Sequence, residues 1–359
     1  MDGLLASGAN PAVGIVIFML GGLAGAVFYL PFKKVTGWAW ESYWLVYAMF
    51  GLLIVPWVLT LIVSPNVFDV LRAAPRGELW YTYLCGAAWG FGGLTWGLMI
   101  RYLGFGLGLA MGAGITSAAG TLFPPMLKGA EAIQAMFTTP SGRVSVLAAV
   151  ISVAGIVLVG MAGMSKEKEL SEDEKKKAVA EFDFKKGIIA VLFAGLMSAG
   201  MSFGLQGGPR IEELALTVSP ASSVAWAGMP VLVMVLLGGF TVNFVWCVLL
   251  NIKNKTAGDY VRPDGPVLTS NLFFAALAGT IWCSQFICFK TGEPQMGETS
   301  YIGWAVLMAS QILFSQLLGV ALGEWKGASR KTVQLLVSGL VLLLVSAVVA
   351  GYSGYLGQS

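Results

Sequence analysis

Ten runs of apolar residues fill most of the chain. They lie near residues 11–32, 43–63, 79–101, 103–127, 144–164, 187–207, 221–251, 270–290, 300–322 and 332–353. A hydrocarbon core about 30 Å thick takes about 20 residues of helix, and each run meets that length. Only Arg101 divides the third run from the fourth, and the seventh holds Pro230. The pattern predicts an all-α integral membrane protein with ten transmembrane helices.

One long polar segment interrupts the series. It is SKEKELSEDEKKKAVAEFDFKK, residues 165–186, in which seven lysines face seven acids, the pattern of a solvated linker. It separates five spans in 1–164 from five in 187–359. Loops after odd-numbered spans hold 16 Lys and Arg, and loops after even-numbered spans hold 6. Basic loops stay in the cytoplasm, which puts the odd loops and the linker inside and both termini outside. Two similar halves with an odd number of spans must lie in opposite orientations, the inverted-repeat plan of many secondary transporters. A faint likeness supports it: GLAGAVF in the first span against GLMSAGMSF in the sixth, and WGFGGLTW in the third against GTIWCSQF in the eighth.

Composition narrows the function. Of 359 residues, 57% are hydrophobic and 11% charged, too few charges for a water-covered surface. A net charge of +3 is too small to point to nucleic acid. Histidine is absent, which removes the commonest proton shuttle and metal ligand and leaves proton chemistry to carboxylates. Cys85, Cys247, Cys283 and Cys288 fall in apolar runs without a CxxC pair, so neither a disulfide frame nor a metal site is indicated. There is no paired-acid motif, Ser/His arrangement or phosphate loop, so the chain is not expected to be an enzyme or to carry a cofactor. The first run has no basic residue before it, which argues against a cleaved signal peptide.

Small residues at four-residue spacing, Gly86/Gly90, Gly93/Gly97 and Gly104/Gly108/Gly112, let helix backbones approach closely. The Gly104-Phe-Gly106 stretch imitates a dinucleotide loop, but it lies inside a span and lacks the strand that loop needs. Polar residues near mid-span are Thr95, Thr116, Ser117, Ser198, Ser202, Asn243, Ser284, Gln285, Ser310 and Gln311. Hydroxyls can bond their own helix. A buried amide costs a few kcal/mol unless paired, so Gln285 and Gln311 are the stronger ligand candidates. Trp89, Trp96 and Trp282 lie on spans that carry these polar residues, the first two with Thr95 and the last with Ser284 and Gln285. Aromatic faces with amides suit a neutral sugar, whose C–H faces stack and whose hydroxyls both donate and accept.

The first turn, FYLPFKKVTGWAWESYW (28–44), combines Lys33 and Lys34 with Trp38, Trp40 and Trp44. Lysines anchoring the inner face and tryptophans at headgroup level explain all of it except Glu41, an acid that gains nothing there. Arg101, Lys290, Glu293, Glu298 and Glu324 also sit at span ends, where snorkelling or ion pairing is the ordinary role.

That turn resembles the bacterial L-rhamnose–proton symporter family of the drug/metabolite transporter superfamily. The likeness continues at MIRYLGFGLG, GTLFPP, EFDFKKG, SAGMSF, IWCSQF, GEPQMGETSYIGW and EWKGASR, over almost the whole chain. The resemblance implies uptake of L-rhamnose with a proton across the bacterial inner membrane, through ten helices in two inverted repeats. One departure stands out: the family often has histidine three residues after the tryptophan that here is Trp304, where this chain has Leu307. On this reading the sugar sits between the repeats against Gln285, Gln311, Trp89, Trp96, Trp282 and Tyr301. Glu41 and Glu298 are the candidate proton carriers on opposite faces. The partners are the sugar and the lipid bilayer, with no nucleic acid. Exchange or export of another small metabolite, or a sugar sensor without transport, are the alternatives.

Overall fold

A computed structural model describes residues 10–103, 105–169, 184–261, 265–323 and 325–357. Most of the 165–186 linker, Gly104 and Glu324 lie outside these. Among the described residues the chain is all helix and turn. The long helices are α1 (Pro11–Val27), α2 (Trp40–Val63), α4 (Arg76–Leu103), α5 (Phe105–Leu127), α7 (Pro140–Glu169), α8 (Phe184–Gln206), α10 (Met229–Asn254), α11 (Gly265–Gly292), α12 (Gly303–Ala321) and α13 (Arg330–Leu356). Short helices α3 (Val67–Ala73), α6 (Ala130–Thr138) and α9 (Pro209–Thr217) connect them. Among the described residues, eight segments are long and apolar enough to cross a membrane. Helices α4 and α5, of 28 and 23 residues, extend about 42 and 35 Å at 1.5 Å per residue.

Proline punctuates the helices where the sequence places it. The overlong seventh run begins its helix only at Met229, so Pro230 falls in the first turn, where its missing N–H is no loss. Pro124 interrupts α5 and leaves the carbonyl of Gly120 without its helical donor. Ser202 Oγ on α8 donates to that carbonyl at 2.5 Å, and Gln206 Nε2 at 3.4 Å, so the break in one helix becomes a bond to its neighbour. In α2 a π-helical segment, Met49–Ile54, precedes Pro56. Its Gly51 lies against Gly279 of α11, where a Cβ would be 2.7 Å from the Gly279 carbonyl oxygen.

Glycine sets the tightest approaches. A Cβ at Gly86 would lie 1.8 Å from the carbonyl oxygen of Val235, and one at Gly238 would lie 1.9 Å from that of Tyr83, so α4 and α10 meet backbone to backbone. Gly90 faces Val242 on the same seam, whereas Gly93 has open space around it. Gly104 lies outside the described residues, and the surroundings of Gly97 and Gly108 are likewise not described. Beyond this seam, α4 packs on α8 and α11 on α1; α5 packs on α8 and α12 on α1; α4 packs on α10 and α11 on α2; α7 packs on α13.

Hydrogen bonds sort the connections to the two ends of the bundle. At the end bearing Glu169, its carboxylate accepts from Ser329 N at 2.8 Å and Thr332 Oγ1 at 2.5 Å. The Ser329 hydroxyl, which donates to it at 2.5 Å, holds its carboxyl below the ordinary value together with the Thr332 hydroxyl and the Ser329 N–H. At the opposite end, Asn66 is fully buried and donates to the carbonyls of Ala215 and Val218 at 3.0 and 2.8 Å. Asn10 N donates there to Gln295 Oε1 at 3.0 Å, and Gly354 lies against Pro11 and Met296. Both described ends of the chain therefore share this terminal end, and the charged linker leaves from the other.

The first turn lies at the linker end, and its charges are apart. Lys33 and Lys34 are exposed, while Glu41 is 5% exposed and has no ion pair among the described residues. Its Oε1 accepts from Asn254 Nδ2 and Thr256 Oγ1, both at 2.9 Å. Beside it, Asp259 accepts from Ala39 N at 2.9 Å and Ser42 Oγ at 2.6 Å. Glu41 is thus explained by the turn that ends α10, not by the lysines. Nor is Trp44 only a headgroup residue: its Nε1 donates to Asn243 Oδ1 at 3.0 Å.

Candidate functional site

Helix α11 presents Trp282, Gln285, Phe286, Phe289 and Lys290 at intervals of three and four, which places them on one face. All five are buried. The Gln285 end of this stripe lies against α1, where glycine removes the side chain that would hold the helices apart. A Cβ at Gly25 would be 2.2 Å from Gln285 Oε1 and 2.9 Å from Gln311 Cδ. The two mid-span glutamines, on α11 and α12, therefore press on the same glycine. Gln311 donates to the Gly25 carbonyl at 3.1 Å. Gln285 Oε1 is buried and has no hydrogen-bond partner. An amide oxygen in that position is an acceptor awaiting a donor.

Rings build the adjoining wall. Trp282 stacks on Trp89 with centroids 5.1 Å apart, and Phe286 and Tyr47 meet it edge-on at 4.6 and 5.9 Å. Tyr47 in turn touches Trp44 at 4.7 Å. Trp304 on α12 closes the far side, its Nε1 donating to the Thr116 carbonyl at 3.2 Å. Leu307, one turn before Gln311, is fully buried against Gly21 of α1. A second set of unpaired buried hydroxyls, Ser117 and Thr121, stands on α5.

The structure thus brings together four of the six candidate sugar contacts: Gln285, Gln311, Trp282 and Trp89. Trp96 lies two turns from Trp89, donates to Ser198 Oγ at 2.9 Å and packs beside a separate cluster of Met99, Val191 and Ala194. Tyr301 lies in the turn Gly297–Ile302 next to Ser145 of α7, with its hydroxyl buried and unpaired. Glu298 belongs to the same turn, and its side chain lies outside the described residues. Glu41 stands at the linker end, away from the amides. Gly25, Tyr47, Phe286 and Trp304 join the site with no mark of it in the sequence pattern. Tyr47 comes nearest to one: it follows Trp44 by three residues inside an apolar run, a helical spacing that puts the two rings side by side. No group of three or more metal-ligating side chains occurs among the described residues. A mostly apolar recess between α1 and α13, lined by Ile15, Val348, Gly351 and Tyr355, opens on the outside of the bundle.

Long apolar helices around buried amides and stacked rings, tied by polar clamps at both ends, define a multi-span membrane protein. More narrowly, the chain belongs to the L-rhamnose-proton symport protein (RhaT) family, which it matches over residues 9–355. It is 33% identical to the L-rhamnose-proton symporter of Cronobacter sakazakii over 344 residues, 94% of this chain and 96% of that protein. It is 31% identical to the L-rhamnose-proton symporter of Yersinia pestis over 342 residues, 94% and 97% of the two chains.

Proposed function

We propose that this protein carries L-rhamnose into the bacterial cell together with a proton, by alternating access in the inner membrane. The observation that carries the sugar site is the unpaired Oε1 of Gln285 beside Gln311 on the bare backbone of Gly25. Sugar hydroxyls supply the donors it lacks, and the stacked Trp282 and Trp89 supply a face for the ring. Leu307 suits the C6 methyl group that distinguishes L-rhamnose from L-mannose. A hydroxyl pressed into that contact would have to give up hydration. Family membership favours this reading over a sensor or an exporter of another metabolite.

The architecture proposed is ten spans in two inverted repeats, counting α4 and α5 with the eight apolar segments. Exchange of the halves turns the α4–α8 contact into α11–α1, α5–α8 into α12–α1, and α4–α10 into α11–α2, and the packing contains each of these pairs. The excess of Lys and Arg at the linker end argues that it faces the cytoplasm and that both termini face the periplasm.

Radiolabelled L-rhamnose uptake into proteoliposomes tests the function. Concentrative uptake is expected only with an inward proton gradient, and L-mannose should compete poorly. Uptake indifferent to the gradient, or no uptake, would refute symport.

At the inner end we assign Glu41 the role of a latch, because neutral donors from the end of α10 fix its carboxylate. Glu41→Gln keeps an acceptor for Asn254 and Thr256, so gradient-driven accumulation is expected to survive. Loss of accumulation with sugar exchange intact would make Glu41 the proton carrier instead.

A further inference from the structure

The most deeply buried charge among the described residues is outside the sugar site. Lys290 is 2% exposed, and its ammonium has three donors and three acceptors. Nζ donates to the Leu205 carbonyl at the end of α8 at 2.9 Å, to Glu212 Oε1 of α9 at 2.5 Å, and to the Glu293 carboxylate just past α11. Gly228 closes over the lysine stem, where a Cβ would be 2.2 Å from Lys290 Cε. The Glu293 side chain is 13% exposed and that of Glu212 is 35% exposed. The remaining charges around the cluster are few. Lys128, just past α5, acts on Glu293 electrostatically. On α9, Arg210 pairs with Glu213, and Glu78 accepts from the backbone N–H groups of Arg210 and Ile211. Helix α1 has no charged residue, and those of α8 and α10 lie at the other end of the bundle.

Two carboxylates share one ammonium. With both ionised, the cluster holds one excess negative charge in a site largely removed from water, which is expensive. With one proton added it is neutral. Like charges at one site favour protonation of one member, as in paired carboxylates generally. We propose that the Lys290–Glu212–Glu293 cluster is the proton-binding site of transport, taking one proton per cycle on Glu293, with the more exposed Glu212 nearer to the water that delivers it. This assignment rests on the reading of the chain as a sugar–proton symporter.

The position couples proton to sugar. Trp282, Phe286 and Lys290 lie on one face of α11, so the same helix carries the ring wall and the ion cluster. The turn that begins at Glu293 also holds α1, through the bond from Asn10 N to Gln295 Oε1 and the contact of Met296 with Gly14. Helix α1 carries Gly25 beneath both glutamines. Adding a proton at Glu293 and placing a sugar on Gln285 therefore bias the same two helices, the requirement for coupling between separate sites.

Glu293→Gln and Glu212→Gln each leave one carboxylate with the lysine, a neutral pair with no excess charge to neutralise. In proteoliposomes, a one-unit pH gradient allows about tenfold accumulation for one proton per sugar, since one unit is one decade of equilibrium constant. Wild type is expected to approach that ratio and to take protons from a weakly buffered medium when L-rhamnose is added. Both glutamine variants, checked as monodisperse folded protein, are expected to exchange labelled sugar but to stop at equal concentrations, with no proton uptake. Glu293→Asp should restore accumulation. If either glutamine variant folds and still concentrates L-rhamnose, the assignment is overturned. It is equally overturned if the variants lose exchange in step with accumulation, which would mark the cluster as part of the sugar pathway. Failure of the wild type to exchange L-rhamnose would instead sink the transport reading, and the assignment with it.

Discussion

Gln285→Ala is expected to weaken L-rhamnose binding by about 3- to 10-fold or more, with the protein still folded. A neutral hydrogen bond contributes roughly 0.5–1.5 kcal/mol net, and the loss grows when its partner is left buried and unpaired. Gln285 Oε1 has no bond inside the protein, so its removal strands no protein donor and the folded state gives up little. The cost should therefore fall on the ligand. Gly25→Ala tests the same site from beneath. The new methyl would sit 2.2 Å from Gln285 Oε1 and 2.9 Å from Gln311 Cδ, both ends of flexible side chains. They can swing aside without moving a backbone, so folding should persist while both amides lose their positions and the affinity drops. Equilibrium binding of labelled sugar to purified protein reads both variants. Unchanged affinity in Gln285→Ala would remove that residue from the site. Unchanged affinity in Gly25→Ala would show that the glutamines do not act from their places over the glycine.

Eight of the ten predicted runs return among the described residues as helical segments long and apolar enough to cross a membrane, and they were legible in the sequence because the bilayer imposes a length and the backbone imposes a helix. Helix α4 runs on through Arg101 to Leu103 and α5 starts at Phe105, so the helices part beyond the arginine that marks the division in the sequence, and Pro230 proves to be a helix start. What one sequence does not carry is which helix faces which. Trp89 and Trp96 look alike in the chain, seven residues apart on one helix. Only the neighbours differ: Trp89 meets Trp282, and Trp96 meets Ser198. Lys290 and Lys33 are both lysines at span ends. One is exposed on a turn, whereas α8, α9 and the turn before α10 converge on the other. Snorkelling is the sound default for such a lysine, and tertiary packing overrides it at Lys290. Glu41 was recognisable as an anomaly because an acid is out of place in a basic, aromatic turn. Its partners, 213 and 215 residues away, were beyond any spacing rule.

Gly86→Ala should cost far more stability than Gly25→Ala. The difference lies in what the methyl group meets. At Gly86 it would lie 1.8 Å from the carbonyl oxygen of Val235 and 2.7 Å from the carbonyl carbon, atoms that move only with helix α10 itself. Gly238 of α10 makes the reciprocal approach to Tyr83 of α4, so the seam has no slack on either side. Overpacking a tight interior typically costs about 1–3 kcal/mol, and the upper end or beyond applies when a backbone must shift. Gly93→Ala on the same helix is the control, since nothing lies within 4 Å of a Cβ there and alanine favours helix. Thermal unfolding in detergent should show a clear drop for Gly86→Ala and none for Gly93→Ala; equal midpoints would mean that α4 and α10 are not in backbone contact. The seam also bears on transport. Trp89 lies one turn from Gly86 on α4, and Gly239 of α10 lies against its ring, where a Cβ would be 2.6 Å away. Prising α4 from α10 would draw Trp89 off Trp282, so any Gly86→Ala protein that still folds should also bind L-rhamnose less tightly.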